Sequence, residues 1–441
     1  MALRSRHVRF GAVLAGLALL AGGLTGCAPE TDAAASAAGS SLWDSGVVHS
    51  ITVDVDEGDY ADLIAAYQES GDKEWVSAAV TIDGTTLEQV GLKLKGNSSL
   101  REISADSDAE TLPWIIRLDK YVDGQNYEGE TELVVRGNTS ETALNEALAL
   151  DLLRLSGLAS EEAISSTFSV NDGDSALRLV IQNPSDEWAA QEFESVGLLY
   201  KAESTGDYTY RGDDPESYTD VFDQEAGDED IEPLIDFLQF INESDDATFA
   251  SDLSEWLDVE SFATYLAFQD LIDNFDDISG PGNNSYLRFD EETGLMTVVS
   301  WDLNLAFGAM NGGGAGDGAG PGGEMPAGEM PTGEMPTDMP TDMPTDMPTD
   351  MPTDMPADGG PGGMNTSNVL ADRFLADPAF TALYDSAVTD LTATLFTSGQ
   401  AESLLDEWTA TLRSQGDGLV SDATITEESE ALRTAIEAIA E

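Results

Sequence analysis

The apolar period of this chain changes after Asn138 from mostly strand-like to mostly helical, and that change limits what it can fold into. Between residues 48 and 135 apolar side chains alternate with polar ones in short runs, the period of half-buried strands. The first run carries Val48, Ile51, Val53 and Val55; further runs cover 76–82, 89–95, 114–118 and 132–135, with one helix expected over 60–69. After Asn138 the spacing becomes helical. Residues 139–156 place Leu144, Ala147, Leu148, Leu152 and Leu155 on one side, and Gly157 ends the helix. A strand pair is expected near 167–170 and 177–182, then helices over 188–196, 231–241 and 261–272. A single hairpin, 285–290 with 295–300, flanks the turn Glu291-Glu292-Thr293-Gly294. Helices resume over 377–397, 401–416 and 427–440. A β-rich part followed by a mostly helical part places the chain in the α+β class.

Both ends of this body are marked by composition. Arg4, Arg6 and Arg9 precede an apolar stretch that finishes at Leu24-Thr25-Gly26-Cys27, the pattern of a lipoprotein signal peptide over 1–26. Cys27 is then the lipidated first residue of the mature chain, which predicts export and anchoring to the outer face of a bacterial cytoplasmic membrane. Residues 27–46, rich in Ala, Ser, Asp and Gly, read as a tether. The body divides at sequence level into a β-rich 47–186 and a helical 187–310, completed by 366–441. Between them, 311–365 holds a Gly-rich stretch and tandem Met-Pro-Thr-Asp copies. Proline at every fourth residue forbids a continuous helix, so the segment is expected to be a disordered insertion.

Charge and missing residue types narrow the chemistry. The chain has 18 basic and 85 acidic residues, a net charge of −67, which repels a phosphate backbone and argues against nucleic acid as partner. Cys27 is the only cysteine, and His7 and His49 are the only histidines. A cysteine nucleophile, a histidine triad and an ordinary His/Cys zinc site are therefore excluded from the mature chain. Carboxylates, amides, hydroxyls, lysines and arginines remain, the oxygen-donor chemistry of Mg²⁺ and Ca²⁺. The acidic run Asp54-Val55-Asp56-Glu57-Gly58-Asp59 lacks the spacing and closing Glu of a calcium loop and reads as strand plus turn.

One constellation carries chemistry. The loop Asp273-Asn274-Phe275-Asp276-Asp277-Ile278-Ser279-Gly280 follows a helix and leads to Asn284 and the hairpin, which delivers Ser300-Trp301-Asp302-Leu303-Asn304. A carboxylate loop, an amide, a hairpin and a second carboxylate is a layout used for phosphoryl transfer, in which one acid meets the incoming hydroxyl and others hold metal ions. Because a hairpin folds its ends together, Asp276 and Asp302 can converge. Taken singly, each of these residues also fits a turn or a helix cap. Asp302 is the sharpest, since an acid directly after an apolar strand and Trp301 costs stability unless it is used.

These pieces together resemble the CotH family of atypical protein kinases. The likeness rests on Asn274-Phe275-Asp276, Asn284-Ser285-Tyr286-Leu287 and Trp301-Asp302-Leu303-Asn304, with Lys93-Leu94-Lys95-Gly96-Asn97-Ser98 and Gly197-Leu198-Leu199-Tyr200-Lys201 upstream. The resemblance implies a divergent, two-lobed protein-kinase-like fold that uses ATP with Mg²⁺ or Mn²⁺ to phosphorylate Ser or Thr of a protein substrate. It further implies Asp276 as the catalytic-loop acid and Asp302, Asn284 and Asn304 as metal ligands. Lys95, Asn97 and Ser98 would lie near the phosphates. Glu146 would orient a phosphate-binding cation, with Lys201 a possible partner. Asn304 stands where the family pattern has an acid. A non-catalytic surface adhesion or structural lipoprotein on the same scaffold is the alternative.

Overall fold

A computed structural model describes residues 41–96, 100, 103–104, 107–203, 207–280, 283–309, 368–416 and 418–441. The alternating runs close on themselves. β1 (Val48–Val55), β2 (Val76–Ile82), β3 (Thr85–Leu94), β4 (Trp114–Arg117), β5 (Glu132–Val135), β6 (Ala163–Val170) and β7 (Ala176–Gln182) form a barrel in the order β1-β2-β3-β4-β5-β7-β6. A ring with an odd number of strands cannot be antiparallel throughout. The parallel pair that closes it is β1 with β6, Val48 opposite Ser165 and Val53 opposite Val170. Alternation sends Val90, Leu92 and Leu94 of β3 inward with Val53, Val80, Trp114, Ile116, Val135 and Phe168, all fully buried. The opposite parity puts Gly91, Lys93 and Lys95 on the outside. Each large apolar side chain removed from water contributes about 1.5–3 kcal/mol, so the barrel is a core in its own right.

The first helix, α1 (Glu57–Ser70), packs Leu63 and Ile64 onto this core. Asp56 caps it, its carboxylate accepting from the Gly58 and Asp59 amides, which accounts for the acidic run at this point. Between β5 and β6 runs α2 (Leu144–Leu155). It begins later than its apolar spacing suggests because Ala143 is left-handed, at φ 52°, and the residues before it belong to a turn. Nor does it bury one side alone. Leu144 to Leu150 are buried all round, since α2 lies in the core between the barrel and the C-terminal helices.

The helical half holds α3 (Asp186–Glu192), α4 (Glu232–Glu243), α5 (Asp246–Asp252), α6 (Val259–Leu271), α7 (Val369–Ala376), α8 (Pro378–Leu391), α9 (Gln400–Gln415) and α10 (Asp422–Ala440). The hairpin does not stand alone there. β8 (Gly197–Ala202) and β9 (Phe222–Ala226) join β10 (Ser285–Asp290) and β11 (Met296–Ser300) in a sheet of order β11-β10-β8-β9. Leu198, Leu199 and Tyr200 are all buried, so β8 has no alternation by which its sequence announces a strand. The architecture is mixed α+β, as expected, but its β-rich half is a closed barrel rather than the open sheet of an ordinary kinase lobe.

One buried acid has a measurable consequence. Glu161, between α2 and β6, is 3% exposed, and its Oε1 has no hydrogen-bond partner among the described residues. Burial, with the Glu146 and Glu192 charges adding to it, pushes its carboxyl from 4.5 up to about 8. A raised folded-state value favours the protonated fold, so the stability it contributes is complete at low pH and lost as pH rises through about 8. Glu161→Gln should flatten this alkaline decline, as read by urea unfolding at pH 5 and pH 9. An unchanged decline would show that Glu161 is not its source.

Candidate active site

The segment after β11 is bound on two sides. On one, Asn145 Nδ2 and Thr139 Oγ1 donate to the Asn304 carbonyl at 2.7 and 3.0 Å, from the first turn of α2 and the turn before it. On the other, the Phe307 amide donates to the Ile272 carbonyl at 2.5 Å and the Gly308 amide to that of Asp273 at 3.3 Å. Leu303, Leu305 and Ala306 point into the core. A relay of amides adds a third tie to the acidic loop: Asn274 Nδ2 donates to Gln269 Oε1 at 2.8 Å, and Gln269 Nε2 to Ser300 Oγ at 2.9 Å. Because Ser285 stands opposite Ser300 in the hairpin, the loop and the Asp302 segment emerge side by side. Asp273, Asn283, Asp302 and Phe307 on these two segments all have positive φ. For non-glycine residues that is costly backbone, held only where the surroundings over-determine it, and such outliers gather at functional sites.

Asp302 points at a cation. Arg136, directly after β5, is bracketed by two carboxylates: its Nε lies 2.8 Å from Glu146 Oε1, and its Nη2 contacts Asp302 Oδ1. The Arg136 and Glu146 side chains are 11% and 3% exposed. Burial opposes the guanidinium's charge, yet Asp302 and Glu146 outweigh it and hold the pKa above its ordinary value. Burial also pushes the Glu146 carboxyl up, while Arg136 pulls it back.

Beside this triad lies Lys95. Its Nζ sits 5.0 Å from the Trp301 ring centroid and donates to Asn183 Oδ1 at 2.9 Å. Asn183 Nδ2 in turn donates to Glu132 Oε2 at 2.8 Å. Burial, then the charges of Lys201 and Arg136, draw the Lys95 ammonium down to about 8. Lys95 and Arg136 thus share one indole, 5.0 and 5.9 Å from the Trp301 ring centroid, and each charge opposes the other across it.

The other expected positions are placed as follows. Asp276 and Asn284 are half-buried on the acidic loop and its exit. Next to Asp276, the Asp277 carboxyl is pushed up to about 6 by burial and by the charges of Asp270 and Asp276. Asn304 contributes its carbonyl to the Asn145 and Thr139 bonds. Lys201 pairs with Glu203, Nζ to Oε1 2.5 Å, and not with Glu146. Asn97, Ser98, Cys27 and the 311–365 insertion lie outside the described residues. Among the described residues no cluster of three or more His, Cys, Asp and Glu side chains is arranged to hold a metal ion. A site here would therefore have to draw on amide oxygens as well.

The family described as CotH kinase protein matches residues 92–441. The chain belongs to the CotH kinase family. No curated protein matches it. The matched span of this CotH family member includes β4 through β11, every residue of the Arg136–Glu146–Asp302 triad, and Lys95.

Sequence reasoning missed Arg136, although an arginine straight after the apolar run Leu133-Val134-Val135 is the same anomaly that singled out Asp302. It also missed Asn183, and gave no role to Asn145, which is part of the family likeness in Asn145-Glu146-Ala147-Leu148. Local pattern gives no role to either, because a lone amide in a turn or a first helical turn is unremarkable until its partner's position is known.

Proposed function

We propose that this protein is a CotH-type kinase that transfers the γ-phosphoryl group of ATP to a Ser or Thr hydroxyl of an envelope or secreted protein. The observation that carries this reading is Arg136 held between Glu146 and Asp302, with Lys95 parked over Trp301 beside it. On this reading the barrel takes the place of a kinase's first lobe and the helical half that of its second. Lys95 and Arg136 meet the phosphates, Glu146 fixes the direction of Arg136, and the segment of Asn97 and Ser98 extends the phosphate contact. Lys201, charge-paired with Glu203, borders the same end, where its charge is felt by Lys95.

Asp302, Asn284 and Asn304 supply only oxygen donors, the set that suits Mg²⁺ or Mn²⁺, and they would hold such an ion. An ion held by these residues would supply positive charge to neutralise the phosphates. Asp276 accepts the proton of the attacking hydroxyl, and its place on a tightly bonded loop fixes that acceptor. The same proposal puts this chemistry on the outer face of the cytoplasmic membrane, with a lipid on Cys27 as anchor, on the strength of the Leu24-Thr25-Gly26-Cys27 pattern.

Two results test the reading. ATP with Mn²⁺ should raise the melting temperature and label the protein or a Ser/Thr-rich acceptor. Transfer should also fall above pH 8, because Lys95 carries its charge below about 8 and loses it above. The apparent KM for ATP should then rise by about tenfold per pH unit, and Lys95→Arg should extend the plateau upward. No labelling with either metal, and no melting shift, would favour a non-catalytic surface lipoprotein on the same scaffold.

A further inference from the structure

Every lysine of this chain is in one place. Lys73, Lys93, Lys95, Lys120 and Lys201 are the only five, against 85 acidic residues. Lys95 and Lys201 face the candidate active site; the other three extend from it along the outside of the barrel. There Trp75 is half-buried and two ammonium groups lie over its ring, Lys93 Nζ at 4.6 Å and Lys120 Nζ at 5.0 Å from the centroid. The arrangement is built. Gly91 of β3 has no side chain, and a Cβ there would lie 2.6 Å from Lys120 Cβ and 3.0 Å from Trp75 Cε3, so the lysine stem and indole rest on bare backbone. Among the described residues neither Lys93 nor Lys120 forms a salt bridge. Burial, together with Lys201 and their lysine neighbours, lowers the pKa of Lys73 and Lys93, while Glu203 acts against this at Lys73 and Glu225 and Glu132 at Lys93.

We propose that this Trp75 lysine face is an intramolecular docking surface for the acidic Met-Pro-Thr-Asp insertion. The occupant is argued from charge and connection. Residues 310–367 contain no Lys or Arg and carry Asp338, Asp342, Asp346, Asp350, Asp354 and Asp358 at every fourth position. Both anchors of the insertion stand on the acidic loop: Gly308 donates to the Asp273 carbonyl at 3.3 Å, and Asn368 Nδ2 to the Ile278 carbonyl at 3.2 Å. Asn283, at the end of that loop, donates to the Glu203 carbonyl at 3.4 Å, beside the strand that carries Lys201. Anchored at both ends on one loop, such an insertion reaches at most half its contour, on the order of 80–100 Å at about 3.3 Å per residue. A foreign acidic segment would have to approach against the net charge of −67, whereas a tethered one is supplied at an effective concentration in the millimolar range. The inference does not depend on phosphoryl transfer, since Lys73, Lys93, Lys120 and Trp75 have no part in that chemistry.

Carbodiimide cross-linking of the full chain, without nucleotide and read by mass spectrometry, tests it. Amide links should join Lys93 and Lys120 to the insertion aspartates and fall at least fivefold in 1 M salt, where charges are screened within about 3 Å. Mixing isotope-labelled and unlabelled chains should show the links within one molecule. A second variant leaves the folded body untouched: changing the six insertion aspartates to asparagine should speed acetylation of Lys93 and Lys120 severalfold. Links only to Glu132, Glu203 or Glu225, links only between molecules, or unchanged acetylation would each overturn the proposal.

Discussion

Asp302→Asn should cut phosphoryl transfer by about 10²–10³-fold, the usual loss when one preorganised electrostatic group is removed from a transition state. Asparagine is the informative replacement. Asp302 is left-handed, at φ 60° and ψ 57°, a conformation Asn tolerates better than Ala, so the backbone after β11 keeps its course. Arg136 keeps Glu146 as partner, and the fold should melt within a few degrees of wild type. Labelling from γ-labelled ATP and thermal melting on the same preparation separate the two effects. Equal labelling in variant and wild type would place the chemistry elsewhere.

Arg136→Met carries the larger cost in stability. It removes the only salt-bridge partner of Glu146 among the described residues, leaving a 3%-exposed carboxylate uncompensated, which typically costs about 3–5 kcal/mol. Urea unfolding should show a lower midpoint with an unchanged slope. The double change Arg136→Met with Glu146→Leu should recover most of that loss, because two apolar groups of similar volume fill the space without a buried charge. Transfer should remain abolished in both. That split identifies Arg136 as more than a structural ion pair; recovery of activity together with stability would show the reverse.

Much of the local structure was legible in the residues. The runs at 76–82 and 132–135 became β2 and β5 with the expected bounds, and the hairpin needed only a one-residue adjustment at Met296. Asp302 was singled out because an acid after an apolar strand is locally anomalous, and it is the residue that meets Arg136. Elsewhere local signals misled. The spacing over 139–156 is helical, but a left-handed Ala143 starts α2 late, and the helix is buried on all sides rather than one. β8 escaped notice because both of its faces are covered.

The class of most segments and the chemistry available to the chain follow from local signals, since period, proline spacing and the near absence of Cys and His act through neighbours a few residues apart. It takes the folded body to lay β1 parallel to β6, to give Glu146 to Arg136 and Lys201 to Glu203, and to bring Lys93 and Lys120 over Trp75. Those are pairings between distant positions. A side chain's partner across such distances is set by register and packing of the whole body, and no period in the sequence encodes it.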